Sequence, residues 1–145
     1  MLTLTNSVTF TKGKAPIVLL RNFYEPEDGF VWSNSRWCQV LFSLTERPSR
    51  PNAPVDLLFD IDVFKAPPAL PGQSVLVYLN GMRVASFDVS QRMNAVIPIA
   101  STLLRPQENE ITFDTPDAAK PSDFGVLDDR KLGIQLFSLQ LRPAD

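Results

Sequence analysis

At 145 residues, with 44% apolar and 21% charged residues and a formal charge of −2, the chain has the make-up of one globular domain rather than a disordered segment. The near-neutral balance, without a lysine or arginine block, argues against the basic surface that nucleic acid or an anionic membrane requires, and no run reaches the roughly 18–20 apolar residues of a membrane span. Histidine is absent and Cys38 is the single cysteine, which removes Ser-His-Asp and Cys-His nucleophile systems, histidine-rich zinc sites and an intrachain disulfide.

Short β-branched or aromatic runs with period-two alternation recur along the chain, broken by thirteen scattered prolines and by Gly, Asn and Asp. The first ten residues, MLTLTNSVTF, lack a charged n-region and a long apolar segment, so no secretory signal is expected. That predicts a cytoplasmic protein, or a domain cut from a longer envelope-associated one. Leu2, Leu4, Val8 and Phe10 share a parity, as in a half-buried strand. Gly13–Pro16 turns the chain into Ile17–Leu20. The stretch Asn22–Ser33 follows, aromatic, acidic and turn-forming through Pro26 and Asp28-Gly29, with extension resuming at Phe30–Trp32.

Arg36–Leu44 alternates, with Cys38, Val40, Phe42 and Leu44 on one face and Trp37, Gln39, Leu41 and Ser43 on the other. Cys38 has core parity and reads as an inert thiol. Arg47–Pro54 is a proline-rich loop. Val55–Lys65 is the cleanest strand, with Val55, Leu57, Phe59, Ile61 and Val63 inward, and Asp56, Asp60 and Asp62 on a solvated face. The aspartates would discourage edge pairing if this strand were an edge.

Asn80-Gly81 between apolar runs predicts a two-residue type I′ hairpin, because both positions need positive φ. Leu79 then pairs with Met82, Tyr78 with Arg83 and Val77 with Val84, which sets Arg83 beside the Tyr78 ring. Pro98 makes Ala95–Ile99 an edge strand. Ser101 is expected to cap one helical turn ended by Pro106, and Glu110–Asp114 is a strand. Thr115–Phe124 is a polar loop. Leu132–Leu141 is the last strand, buried on both faces or bulged near Leu136–Phe137. The expectation is a single all-β domain over residues 1–145, an antiparallel sandwich of about eight to ten strands with at most one short helical turn.

The order FYEPEDGFVWS, VYLNGMRV, NAVIPIASTLLRPQENEITFDTP and FGVLDDRKLGIQLFSLQL resembles the jelly-roll, carbohydrate-binding-module-like accessory domains found with bacterial glycosyltransferases and cell-surface polysaccharide proteins. The resemblance runs from about Phe23 to Leu141. It implies a jelly roll acting beside an enzyme or transport component, and it assigns no particular sugar.

Two placements for a glycan are open. An outward Trp37, with Tyr78 and Arg83, would give a sheet-face site, since tryptophan stacks on the apolar face of a pyranose. Asp60 and Asp62 could be hydrogen-bond acceptors on that same face. Alternatively Glu25, Trp32, Asp128 and Arg130 would give a site at the loop end. There Arg130 is expected to fork onto Glu25 or Glu27, either as a structural latch over a buried Trp32 or as part of the ligand site. No cofactor is expected, although Glu25, Asp28, Asp128 and Asp129 supply oxygens that a structural calcium ion could use.

The leading expectation is therefore a non-catalytic glycan-recognition module in bacterial surface-polysaccharide assembly, with a carbohydrate and a glycosyltransferase or exporter subunit as partners. The alternative is a protein-interaction or homo-oligomerisation module, using Trp37, Leu41, Leu58 and Phe64 as one apolar patch. A hydrolase working through Glu25, Glu27, Asp128 or Asp129 is the least favoured reading.

Overall fold

A computed structural model describes residues 7–14, 16–44 and 53–144. The strands are β1 (Ser7–Thr9), β2 (Leu19–Arg21), β3 (Val31–Trp32), β4 (Trp37–Phe42), β5 (Pro54–Val63), β6 (Gln73–Leu79), β7 (Met82–Val89), β8 (Met93–Ala100), β9 (Asn109–Asp114) and β10 (Ile134–Pro143). They form two antiparallel sheets. One runs β1-β10-β5-β8, with β3 also pairing β10; the other runs β2-β4-β9-β6-β7. The chain is an all-β sandwich, as the alternation predicts. The strand read over Leu2 and Leu4, and most of the loop read at Arg47–Pro54, lie outside the described residues. No helix among the described residues is long and apolar enough to cross a membrane.

Alternation builds the core. On β5 Val55, Leu57, Phe59, Ile61 and Val63 are buried, and on β4 Cys38, Val40 and Phe42 are buried with Leu44 just beyond. These inward sets meet the inward residues of β6, β9 and β10 between the sheets. Phe59 of one sheet meets Phe113 of the other edge-on, with ring centroids 5.0 Å apart. Burying one such ring contributes about 1.5–3 kcal/mol, so this pair helps to fix how the layers face each other.

At the hairpin, Asn80 has φ 50° and Gly81 φ 86°, as a type I′ turn requires. Leu79 pairs with Met82 and Tyr78 with Arg83, but Val77 pairs with Ala85 rather than Val84. A bulge between Val77 and Tyr78 leaves Val84 as an extra residue on β7, which the turn sequence alone does not encode. The break expected near Leu136–Phe137 is also a bulge, between Leu136 and Ser138.

Among the described residues β8 pairs only with β5, so Pro98 does lie on an edge strand. β5 is central, between β10 and β8, so its aspartates guard no edge. Ser101–Leu103 forms the expected turn as a 3-10 helix, but Ala100 occupies the cap position and no side chain caps it. A second 3-10 turn, Pro121–Phe124, lies in the polar loop after β9.

Candidate functional site

Outward residues of β4, β9, β6 and β7 build one continuous face. Register sets Trp37 opposite Asp114, Gln39 opposite Thr112, and Leu41 opposite Glu110. Thr112 is in turn opposite Tyr78, and Tyr78 opposite Arg83. Trp37 is 44% exposed, and its ring lies 6.2 Å from that of Tyr78 at 48°. The expected trio thus shares a face, with Trp37 and Tyr78 in ring contact and an exposed Arg83 in the Tyr78 row.

Residues not singled out in the sequence hold this pair. Arg36 donates from Nε to Asp114 Oδ1 at 2.7 Å and from Nη2 to Oδ2 at 3.1 Å. Its guanidinium carbon lies 5.1 Å from the Trp37 ring centroid. The Asp114 side chain is almost wholly buried, and such a carboxylate needs a fixed cation to offset its lost hydration. Asn22 Nδ2 donates to the Trp37 carbonyl at 2.9 Å, fixing the tryptophan backbone.

Beside the aromatic pair runs a polar row. Arg21 Nη1 donates to Gln39 Oε1 at 2.8 Å, and Gln39 Nε2 donates to Glu110 Oε1 at 2.6 Å and Thr112 Oγ1 at 3.2 Å. An aromatic surface with an ordered polar flank can take a ring that is apolar on its face and hydroxylated at its edge.

The loop end is differently built. Residues 22–33 double back on themselves through bridges between Phe23 and Ser33 and between Glu27 and Phe30. Gly29 at φ 97° makes the turn. Arg130 does reach this loop. Its Nη1 is 3.8 Å from Glu27 Oε2, and its guanidinium carbon is 5.7 Å from the Tyr24 ring centroid. The fork itself falls on Asp128, however, not on Glu25 or Glu27: Nε to Oδ1 at 3.1 Å and Nη2 to Oδ2 at 2.9 Å. The Arg130 backbone N–H also donates to Asp128 Oδ1. Two residues of separation make this contact far less costly in chain entropy than one across the domain.

These bonds hold the Asp128 carboxyl below its ordinary pKa, first through the Arg130 side chain and then through its backbone N–H. Asp128 and Arg130 therefore pair with each other, in place of the expected fork onto Glu25 or Glu27. Glu25 is exposed, without a hydrogen bond or ion pair among the described residues. Trp32 is half-buried, not sealed behind a latch, and meets Phe30 edge-on at 6.4 Å.

The carboxylates expected to suit calcium are not gathered. Asp128 is held by Arg130, and Asp28 Oδ1 accepts the Lys12 backbone N–H at 3.0 Å. Among the described residues no group of three or more Asp, Glu, Cys or His side chains is placed to hold a metal ion. The residues at this corner do not fit such an ion.

Other expected groupings separate. Asp60 and Asp62 lie on β5, whereas Trp37 lies on β4, so they belong to opposite sheets and cannot share an outer face. The same division separates Leu58 from Leu41 and Trp37, and Phe64 packs against Phe124 with centroids 6.0 Å apart. The single apolar patch is therefore not formed. Alternation tells inside from outside but not which sheet a strand joins.

No family model and no curated protein matches this chain. Among solved structures, the CBM36-1 domain of a multidomain xylanase from the hindgut metagenome of Trinervitermes trinervoides is 12% identical, with a TM-score of 0.47, over 97% of this chain and 98% of that one. A Clostridium stercorarium module, CsCBM6-3, solved with cellobiose, is 8% identical with a TM-score of 0.47, over 99% and 97%. An uncharacterized Listeria monocytogenes protein solved with glucose, magnesium and calcium is 15% identical with a TM-score of 0.46, over 93% of this chain. This chain spans 11% of the length of that Listeria protein. At such scores the likeness assigns no role to any residue here.

Proposed function

We propose that this chain is a non-catalytic carbohydrate-binding module that holds its glycan against Trp37 and Tyr78 on the outer face of the β2-β4-β9-β6-β7 sheet. The observation carrying the proposal is an exposed tryptophan that is nevertheless held in place: 44% exposed, flanked by Tyr78 and Arg36, and anchored through Asp114. A stacking surface ordered before its ligand arrives loses little conformational entropy on binding. Arg83, Arg21, Gln39 and Thr112 would meet ring hydroxyls at the edge of the stack. The loop end is the less suited of the two surfaces, because Asp128 already takes the forked edge of Arg130.

The setting we propose, surface-polysaccharide assembly beside a glycosyltransferase or exporter subunit, rests on the sequence resemblance over residues 23–141. A broad glycan array tests the site, with the wild type run beside Trp37→Ala and Trp32→Ala after thermal melting has checked that each is folded. Selective binding lost in Trp37→Ala and kept in Trp32→Ala is the expected result. Loss confined to Trp32→Ala would move the site to the loop end, and no binding by the folded wild type would overturn the reading.

A further inference from the structure

Along β4 the outward residues after Trp37 are Gln39 and Leu41, and at Leu41 the face opens into a groove of about 570 Å³. Ile17 and Leu19 (57% and 72% exposed) belong to one side of its lining, and Arg105, Glu108 and Glu110 to the other. Four residues of strand place Leu41 about 13 Å from Trp37. The polar row of Arg21, Gln39 and Glu110 stands between the two ends, and Glu110 is shared by that row and the groove. The groove is thus a continuation of the aromatic face, not a separate surface.

Its charged side is built in advance. Buried Asn109 accepts the Arg105 backbone N–H at 2.8 Å and donates back to the Arg105 carbonyl at 2.6 Å, closing the turn between them. Glu108 inside that turn has φ 60°, a backbone conformation that residues with a side chain rarely adopt. The Arg105 guanidinium and the Glu108 carboxylate make no hydrogen bond or ion pair among the described residues. Two charged groups on a braced turn, beside exposed Ile17 and Leu19, leave donors and acceptors free for a ligand.

Building on the proposed Trp37 site, we infer that the ligand is a linear polysaccharide segment lying along β4. One ring stacks at Trp37 and Tyr78, while hydroxyls further along meet Glu108 and Arg105 in the groove. A single sugar or a short chain end would fill only the aromatic end. Hydrogen bonds in the groove would then appear as affinity gained with chain length.

Calorimetric titration with linear β-linked gluco-, xylo- and manno-oligosaccharides, from disaccharide to hexasaccharide, tests this. The expected result for the wild type is a gain of about tenfold in affinity between the shortest and longest member of the recognised series. The doubly substituted Arg105→Ala, Glu108→Gln protein should bring the hexasaccharide down to the wild-type disaccharide affinity. If the double variant keeps the full gain, or the wild type binds all lengths equally, the groove inference falls while the aromatic site stands. If the folded wild type binds none of the three series, the groove inference falls and the aromatic site stands or falls on the broad array. If binding is indifferent to Trp37→Ala, both fall together.

Discussion

Asp114 and Arg36 face each other across the β4–β9 boundary, joined by hydrogen bonds of 2.7 and 3.1 Å, with the Asp114 side chain 4% exposed and that of Arg36 50% exposed. The buried partner fixes the exposed one, and the exposed one lies against Trp37. The orientation of the exposed tryptophan therefore depends on a carboxylate no ligand would touch.

Replacing Asp114 with Asn removes the charge that holds the fork. Because Arg36 can return partly to water, the expected loss is about 1–2 kcal/mol in denaturant unfolding. The more specific readout is Trp37 itself. In a Trp32→Phe background, where Trp37 is the only tryptophan, Asp114→Asn should shift emission to the red and increase quenching by acrylamide. Unchanged emission with lowered stability would make Asp114 a purely structural residue.

Much of this face was written in the sequence, and its grouping was not. The outward Trp37, the NG hairpin and the Tyr78–Arg83 pairing follow from period-two alternation and from the positive φ of a type I′ turn. Arg36 and Asp114 were missed because they are 78 residues apart and meet only through the β4–β9 register. Their nearest sequence signals were an arginine directly before Trp37 and an aspartate closing NEITFD. Asp60 and Asp62 went to the wrong sheet for the same reason, since strand order does not appear in any one strand. At the loop end, proximity of the two segments was legible. The partner choice of Arg130 was not, because a neighbour two residues away outcompeted the distant glutamates.

Asp60 gives a prediction on pH. Arg92 forks onto it at 2.8 and 2.7 Å and holds its carboxyl below the ordinary range of about 3.9, first through those bonds, while partial burial opposes the shift. A lowered folded-state pKa means that the stabilisation is complete above the unfolded value and is lost as pH falls through the folded one. Asp60→Asn should therefore melt earlier than wild type at pH 7, by the equivalent of up to about 1 kcal/mol after solvent screening. The gap should close below about pH 4. A gap that widened on acidification would contradict the assignment.

Cys38 is wholly buried, and burial pushes its thiol well above the ordinary range, although Ser33 and the Phe113 backbone pull it back in part. A thiol-reactive chromophore should leave the folded protein unlabelled over hours and label it stoichiometrically in denaturant. Rapid labelling without denaturant would show that the core opens readily near β4.

Gly133 sits where a Cβ would lie 2.5 Å from Thr115 Oγ1 and 2.7 Å from Ser33 Oγ. Both hydroxyls are occupied: Ser33 Oγ accepts the Ile134 N–H at 2.9 Å, and Thr115 Oγ1 donates to the Arg36 carbonyl at 3.0 Å. Neither can move without breaking a buried bond. Gly133→Ala should cost about 1–3 kcal/mol in chemical unfolding, from overpacking and the disturbed hydrogen bonds. A neutral substitution would mean that the segments carrying Ser33 and Thr115 yield there at little cost.

Stacking at Trp37 is most directly tested by titrating the Trp32→Phe protein, with Trp37 as sole emitter, against the glycan the array selects. The account predicts a saturable blue shift, with acrylamide quenching reduced in step with occupancy. Saturable binding measured by calorimetry with no change in Trp37 emission or quenching would contradict it, because the glycan would then be seated elsewhere.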